Sequence, residues 1–130
     1  MDEQQRNKEA ARRLYAEALG EGRFEVIDEV VATEFVNYTD PRAPRGPRGI
    51  HEVFRAIRRV APDYRFTIEH VIAEDDLVAV HGRGVTGVMR GELAGQDVTG
   101  RSDDAVHVHI LRFRAGRAVE HWGIRQDQGL

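Results

Sequence analysis

Apolar residues along the first half of the chain recur at helical spacing and along the second half at strand spacing. Ala11, Leu14, Tyr15, Ala18 and Leu19 fall at offsets 0, 3, 4, 7 and 8, which predicts one helix over residues 2–19 with a stop at Gly20 to Gly22. A shorter helical pattern follows, with Phe24, Ile27, Val30 and Val31 inward, and then Phe35 to Tyr38 reads as a brief extended segment. The run DPRAPRGPRG holds three of the four prolines and predicts a loop. Ile50, Val53, Phe54, Ile57 and Val60 repeat the helical spacing, and Pro62 ends this third helix.

From Tyr64 the period changes to approximate alternation. YRFTIEHVIAE and LVAVHGRGVTGVM predict a long hairpin across Asp75-Asp76, RGELAGQDVTGRS reads as a loop or bulged strand end, and DDAVHVHILRF with RAVEHWGIRQ predicts a second hairpin across Arg114-Ala115-Gly116. Helices first and antiparallel strands after is the α+β pattern, with helices on one face of a curved sheet whose concave mouth is a natural small-molecule pocket.

The second hairpin holds three of the chain's six histidines. A three-residue loop with Gly116 left-handed pairs Phe113 with Arg117, His109 with His121 and His107 with Gly123, and puts all three imidazoles on one face. The other face then carries Val108, Ile110, Glu120 and Trp122, and a two-residue loop instead shifts His121 and Gly123 to the side of Val108 and Ile110. Three readings fit such a cluster: acid–base work by imidazole near neutrality, a three-nitrogen metal site, or partly buried rings satisfied by backbone or water.

Composition narrows the chemistry. A chain of 130 residues fits one domain over 1–130; 41% hydrophobic and 32% charged residues with a formal charge of −3 give no electrostatic reason to expect nucleic acid. No apolar run is long enough for a membrane span, and the start MDEQQRNKEAARR is acidic and polar where a signal peptide is basic and then apolar, so the expected location is the cytoplasm. Without cysteine there is no disulfide, thiolate nucleophile or cysteine-held metal.

Three helices followed by strands, the tail I-L-R-F-x-x-G-R-x-V-E-H-W and the preceding G-E-L-A-G-Q-D-V-T-G-R together resemble the SnoaL-like polyketide cyclases of the NTF2-like superfamily over nearly the whole chain. The resemblance implies a cystatin-like cone, three N-terminal helices packed in a strongly curved antiparallel sheet around an apolar pocket, in dimers or tetramers, with no metal and no cofactor. It also implies ring closure of an aromatic polyketide methyl ester by intramolecular aldol condensation, with an Asp as acid–base and a His beside the pocket. The family's pocket His falls on His109, in H-x-x-R with Arg112; His107 replaces a polar pocket residue, and Asn37 in E-F-V-N matches an Asn near the mouth. The essential Asp, two residues after the His of the last strand, is Gly123 here, and Asp127 is the nearest carboxylate after it.

The expectation is therefore a protein that binds a hydrophobic, carbonyl-bearing small molecule and moves a proton beside the carbonyl, in ring closure or isomerisation. His109 moves the proton with help from His121 or Asp127, and Asn37 or Tyr38 hydrogen-bonds the enolate. His107, Tyr15, Phe54 and Trp122 are the further candidates for the pocket, with Trp122 also suited to core or interface. A homodimer through the sheet is expected. The alternatives are a non-catalytic binding or dimerisation module on the same fold, since fold does not fix function, and a metal site at His107, His109 and His121.

Overall fold

The computed structural model describes residues 1–128. Asp2 caps the first helix, α1 (Glu3–Arg13), its carboxylate accepting the Gln5 N–H at 2.8 Å, as an N-cap should. The stripe expected over 2–19 is buried, but the α-helix ends at Arg13; Leu14–Leu19 is a π-helical turn, a rare form that tends to occur at functional sites, and it carries Tyr15. After α2 (Glu25–Val30) the chain passes directly into β1 (Val31–Asn37), four residues earlier than the extended segment expected from Phe35.

Pro47 opens α3 (Pro47–Val60) in the first turn, where its missing N–H costs no helical bond. Ile50, Phe54 and Val60 are buried, each such side chain contributing roughly 1.5–3 kcal/mol. Val53, expected inward, is exposed. Arg58 ties the helix end to the π turn and the following strand by donating to the carbonyls of Leu19, Gly20 and Tyr64 at 3.0–3.2 Å.

Four long strands follow: β2 (Arg65–Glu74), β3 (Leu77–Thr86), β6 (Asp103–Arg114) and β7 (Arg117–Asp127), in the sheet order β1-β7-β6-β3-β2. All neighbours are antiparallel except β1, which runs parallel to β7 and is reached through the helical half of the chain. The sheet is curved and unclosed around the helices, giving the α+β architecture expected. Glycines on β3 let aromatic rings lie flat on its inner face: a Cβ at Gly82 would sit 2.5 Å from the Phe66 ring, and one at Gly84 2.1 Å from the Tyr64 hydroxyl.

The segment over 90–102 is more ordered than a loop. It holds a short hairpin of β4 (Glu92–Leu93) and β5 (Gln96–Asp97), folded over the end of α3 by main-chain bonds from Met89 N–H to Arg101 O at 2.8 Å and from Arg90 N–H to Val60 O at 2.9 Å, with Met89 and Val98 buried. Among the described residues no helix is long and apolar enough to cross a membrane.

Candidate active site

The geometry of the last hairpin decides what the histidines face. Its turn is two residues, Ala115 and Gly116, both at positive φ, so Arg114 pairs with Arg117 and Phe113 with Ala118, not with Arg117. That register alone would send His121 to the face opposite His109. A bulge between Arg112 and Phe113 adds one residue on β7 at Val119, after which Arg112 pairs with Glu120, Leu111 with His121 and His109 with Gly123. The expected direct pairing of His109 with His121 is thus displaced by one pair, while the shared face survives because two one-residue changes cancel in parity. His107, His109 and His121 all lie on the inner face, with Leu111 and Phe113 beyond them in the core.

The three rings form a continuous chain of hydrogen bonds. His107 Nδ1 is 3.1 Å from His109 Nε2, His109 Nδ1 is 2.8 Å from His121 Nε2, and His121 Nδ1 is 2.7 Å from Asn37 Oδ1. Asn37 reaches this position because the parallel pairing of β1 sets it beside His121. Aromatic rings wall the chain: Tyr15 stacks on His109 with centroids 4.4 Å apart, Phe66 presents its edge to His107 at 5.3 Å, and Phe35 lies 6.4 Å from His121. Phe54 stands behind Tyr15 at 6.3 Å.

Burial among these rings disfavours charge on all three imidazoles, holding His107 below its ordinary range, His109 well below it and His121 at about 4. Arg125 adds to the effect at His107, Asp103 opposes it, and His121 and His107 add to it at His109. The Tyr15 phenol is pushed the other way by the same burial and stays protonated. The chain is therefore neutral at neutral pH.

A zinc ion would take imidazole nitrogens at about 2.0–2.1 Å around one point. Here the nitrogens engage one another in pairs, and among the described residues no group of three or more His, Cys, Asp or Glu is disposed to hold a metal. The arrangement suits hydrogen bonding and proton transfer.

Of the three rings, His107 borders a cleft. This cleft, of about 600 Å³, lies between the end of α3, the β4–β5 hairpin and the ends of β6 and β7, with Val60, Met89, Leu93 and Val98 as apolar wall and Arg101 and Arg125 among the rim residues. The loop or bulged strand end expected over 90–102 did not include this wall, whose apolar residues Met89, Leu93 and Val98 are scattered through a Gly-rich stretch without a regular period. Asp127 lines the same cleft but is exposed and 3.0 Å from Arg125, itself paired with Asp103. It pairs across the sheet from Ala105, at the rim and away from the inner histidines.

Two of the expected pocket residues lie elsewhere. Trp122 alternates with His121 and Gly123 and so faces the outer side of the sheet, where it stacks on Tyr38 at 5.4 Å; the Tyr38 hydroxyl bonds to Glu120, which raises its pKa. Neither faces the concavity, because β-strand parity sends neighbouring residues to opposite faces. Arg112 of H-x-x-R also points outward, holding Glu120 at 2.7 Å and Asp76 at 2.8 Å, and locks the two hairpins together. At Gly123 the space is taken: a Cβ there would sit 2.9 Å from both His109 Nδ1 and His121 Cε1. Its N–H donates to Thr39 Oγ1 at 2.6 Å, which pins the segment after β1 across this point.

Comparison with known proteins gives a family and a fold. The SnoaL-like polyketide cyclase family model matches residues 9–130. No curated protein matches the chain. Among solved structures, TsrD from Streptomyces laurentii is 18% identical over 97% of this chain and 91% of its own, with a TM-score of 0.85. IdmH from Streptomyces antibioticus, provisionally named a polyketide cyclase, is 28% identical over 92% of this chain and 91% of its own, with a TM-score of 0.75. AclR from Streptomyces galilaeus, provisionally named a hydroxylase, is 22% identical over 96% of this chain and 81% of its own, with a TM-score of 0.77.

Proposed function

The chain belongs to the SnoaL-like polyketide cyclase family, and on that premise we propose that it moves a proton beside the carbonyl of a hydrophobic small molecule held in the cleft next to His107, in aldol ring closure or isomerisation. The observation that carries this reading is the neutral chain Asn37–His121–His109–His107, which leads from the inner sheet face to the cleft. Imidazoles kept neutral by burial are free to accept a proton at neutral pH. A proton held on such rings is poorly stabilised and is readily returned, so one group can act as base first and acid afterwards.

The inner imidazoles occupy the space above Gly123, and the acid–base duty of the family's aspartate passes in this reading to the histidines. His109 and His121 act behind His107, with Asn37 fixing the far end. Tyr15, backed by Phe54, covers one face of His109. Asp127, Arg125 and Arg101 meet the polar end of the ligand at the rim. No cofactor is invoked.

A ring-closure assay on an aromatic polyketide methyl ester tests the reading. Turnover by the wild type and a loss of about 10²- to 10⁴-fold in His109→Ala, the usual size of a general acid–base contribution, is the expected result. Tight binding of the ester with no turnover would instead favour a binding module on this fold. We further propose that a second copy of the chain covers the outer sheet face, where Val108, Ile110, Ile124 and Ile72 are exposed around the Tyr38–Trp122 stack.

A further inference from the structure

The histidine chain has a direction, and Asn37 sets it. Asn37 Oδ1 accepts the main-chain N–H of Thr39 at 3.0 Å, and because a backbone amide only donates, the atom facing His121 Nδ1 at 2.7 Å is the carbonyl oxygen of Asn37 and not its nitrogen. His121 therefore donates from Nδ1. A neutral imidazole carries one N–H and one lone pair, so His121 Nε2 is the acceptor for His109 Nδ1–H, and His109 Nε2 is the acceptor for His107 Nδ1–H. The last lone pair falls on His107 Nε2, which is buried, has no hydrogen-bond partner among the described residues, and belongs to the side chain lining the cleft.

We propose that Asn37 is a positioning residue that orients all three imidazoles through this chain, so that the one lone pair the chain leaves unpartnered falls on His107 Nε2, beside the cleft, as the proton-accepting atom. The inference rests on the proton-transfer reading for its chemical use. In that use the C–H bond beside the substrate carbonyl breaks, its electron pair stays with the substrate as the enolate, and an N–H bond forms at His107 Nε2. The His107 Nδ1 proton then passes to His109 Nε2, and the His109 Nδ1 proton to His121 Nε2. His121 becomes the imidazolium, donating to Asn37 Oδ1 and to His109 Nδ1. Each hydrogen bond persists, those between rings now reversed, and the positive charge rests two rings away from the substrate. The reverse sequence delivers one proton from His107 Nε2 to the product oxygen, so atoms and charge balance with no further reactant.

The test needs no substrate. Two-bond ¹H–¹⁵N correlation spectra of protein labelled with ¹⁵N-histidine at pH 7.5 distinguish the two tautomers. All three of His107, His109 and His121 are expected as Nδ1–H, the form that free neutral imidazole side chains disfavour. Asn37→Leu, which removes the acceptor, is expected to return His107 to a spectrum with Nε2–H character. A protonated Nε2 on His107 in the wild type overturns the inference whatever the activity, and so does a His107 tautomer unchanged in a folded Asn37→Leu protein. Should Asn37→Leu fail to fold, the wild-type spectrum alone decides. Three Nδ1–H rings in a protein inert towards polyketide esters would uphold the orientation by Asn37 and count against the proposed reaction.

Discussion

At position 123 the two imidazoles already fill the volume that any side chain would need, with contacts of 2.9 Å awaiting a Cβ. Gly123→Ala must displace the His109–His121 hydrogen bond, and overpacking of this kind costs about 1–3 kcal/mol. Urea denaturation should record that loss; a variant as stable as wild type would mean the rings are loosely held. Gly123→Asp, which writes the family's carboxylate back, meets the same contacts and is expected to lose stability as well. At this scale the sequence was legible where chemistry is concentrated: the three histidines and Asn37 could be singled out by type and spacing. The distinction between them could not, since it depends on Tyr15, distant in sequence, which stacks on His109, while the cleft opens beside His107. Tyr38 and Trp122, expected at the pocket, could not be read as outward-facing, because strand parity near a bulge has no signature in composition.

Among the elements, the last hairpin is the instructive case. The turn residues Ala115 and Gly116 favour a two-residue connection once both take positive φ, and the bulge at Val119 then restores the face. Arg112 braces that register from outside through Glu120 and Asp76. The helical stripe, the Asp75-Asp76 turn and the proline loop were all readable from periodicity, whereas the parallel pairing of β1 with β7 was not, since it joins segments distant in sequence. One element carries a defect that can be removed. Asn7, on the buried side of α1, has both side-chain polar atoms enclosed without a partner among the described residues. Burying an unpaired amide costs about 1–3 kcal/mol, so Asn7→Leu is expected to raise the melting temperature by several degrees. A lowered melting temperature would mean that the amide is satisfied in solution, by water for example.

For the molecule as a whole, the buried imidazoles link stability to pH. Unfolded histidines take up protons near 6.5, while in the fold His121 does so only at about 4, and His107 and His109 are shifted the same way. Below about 6.5 the unfolded chain binds more protons than the folded one, so stability is full above that pH and declines as pH falls towards 4. The urea midpoint should drop between pH 7.5 and 5, and drop less in His121→Phe; equal slopes would contradict the neutral state of the chain. The outer sheet face makes its own prediction, that Ile110→Asp converts a dimer to a monomer in light scattering. The α+β cone was the most legible level of all, because helices followed by alternating strands allow few architectures. The cleft was the least, since its wall is a short hairpin laid over the end of α3. Proton abstraction in that cleft is tested most directly by deuterium exchange at the acidic C–H of an aromatic polyketide methyl ester, followed by ¹H NMR in D₂O with enzyme present. Loss of that proton signal with the wild type at a rate well above buffer, abolished in His107→Ala and strongly slowed in His109→Ala, is the predicted result. Exchange no faster than buffer, or exchange undiminished in His107→Ala, would contradict a histidine-based proton transfer.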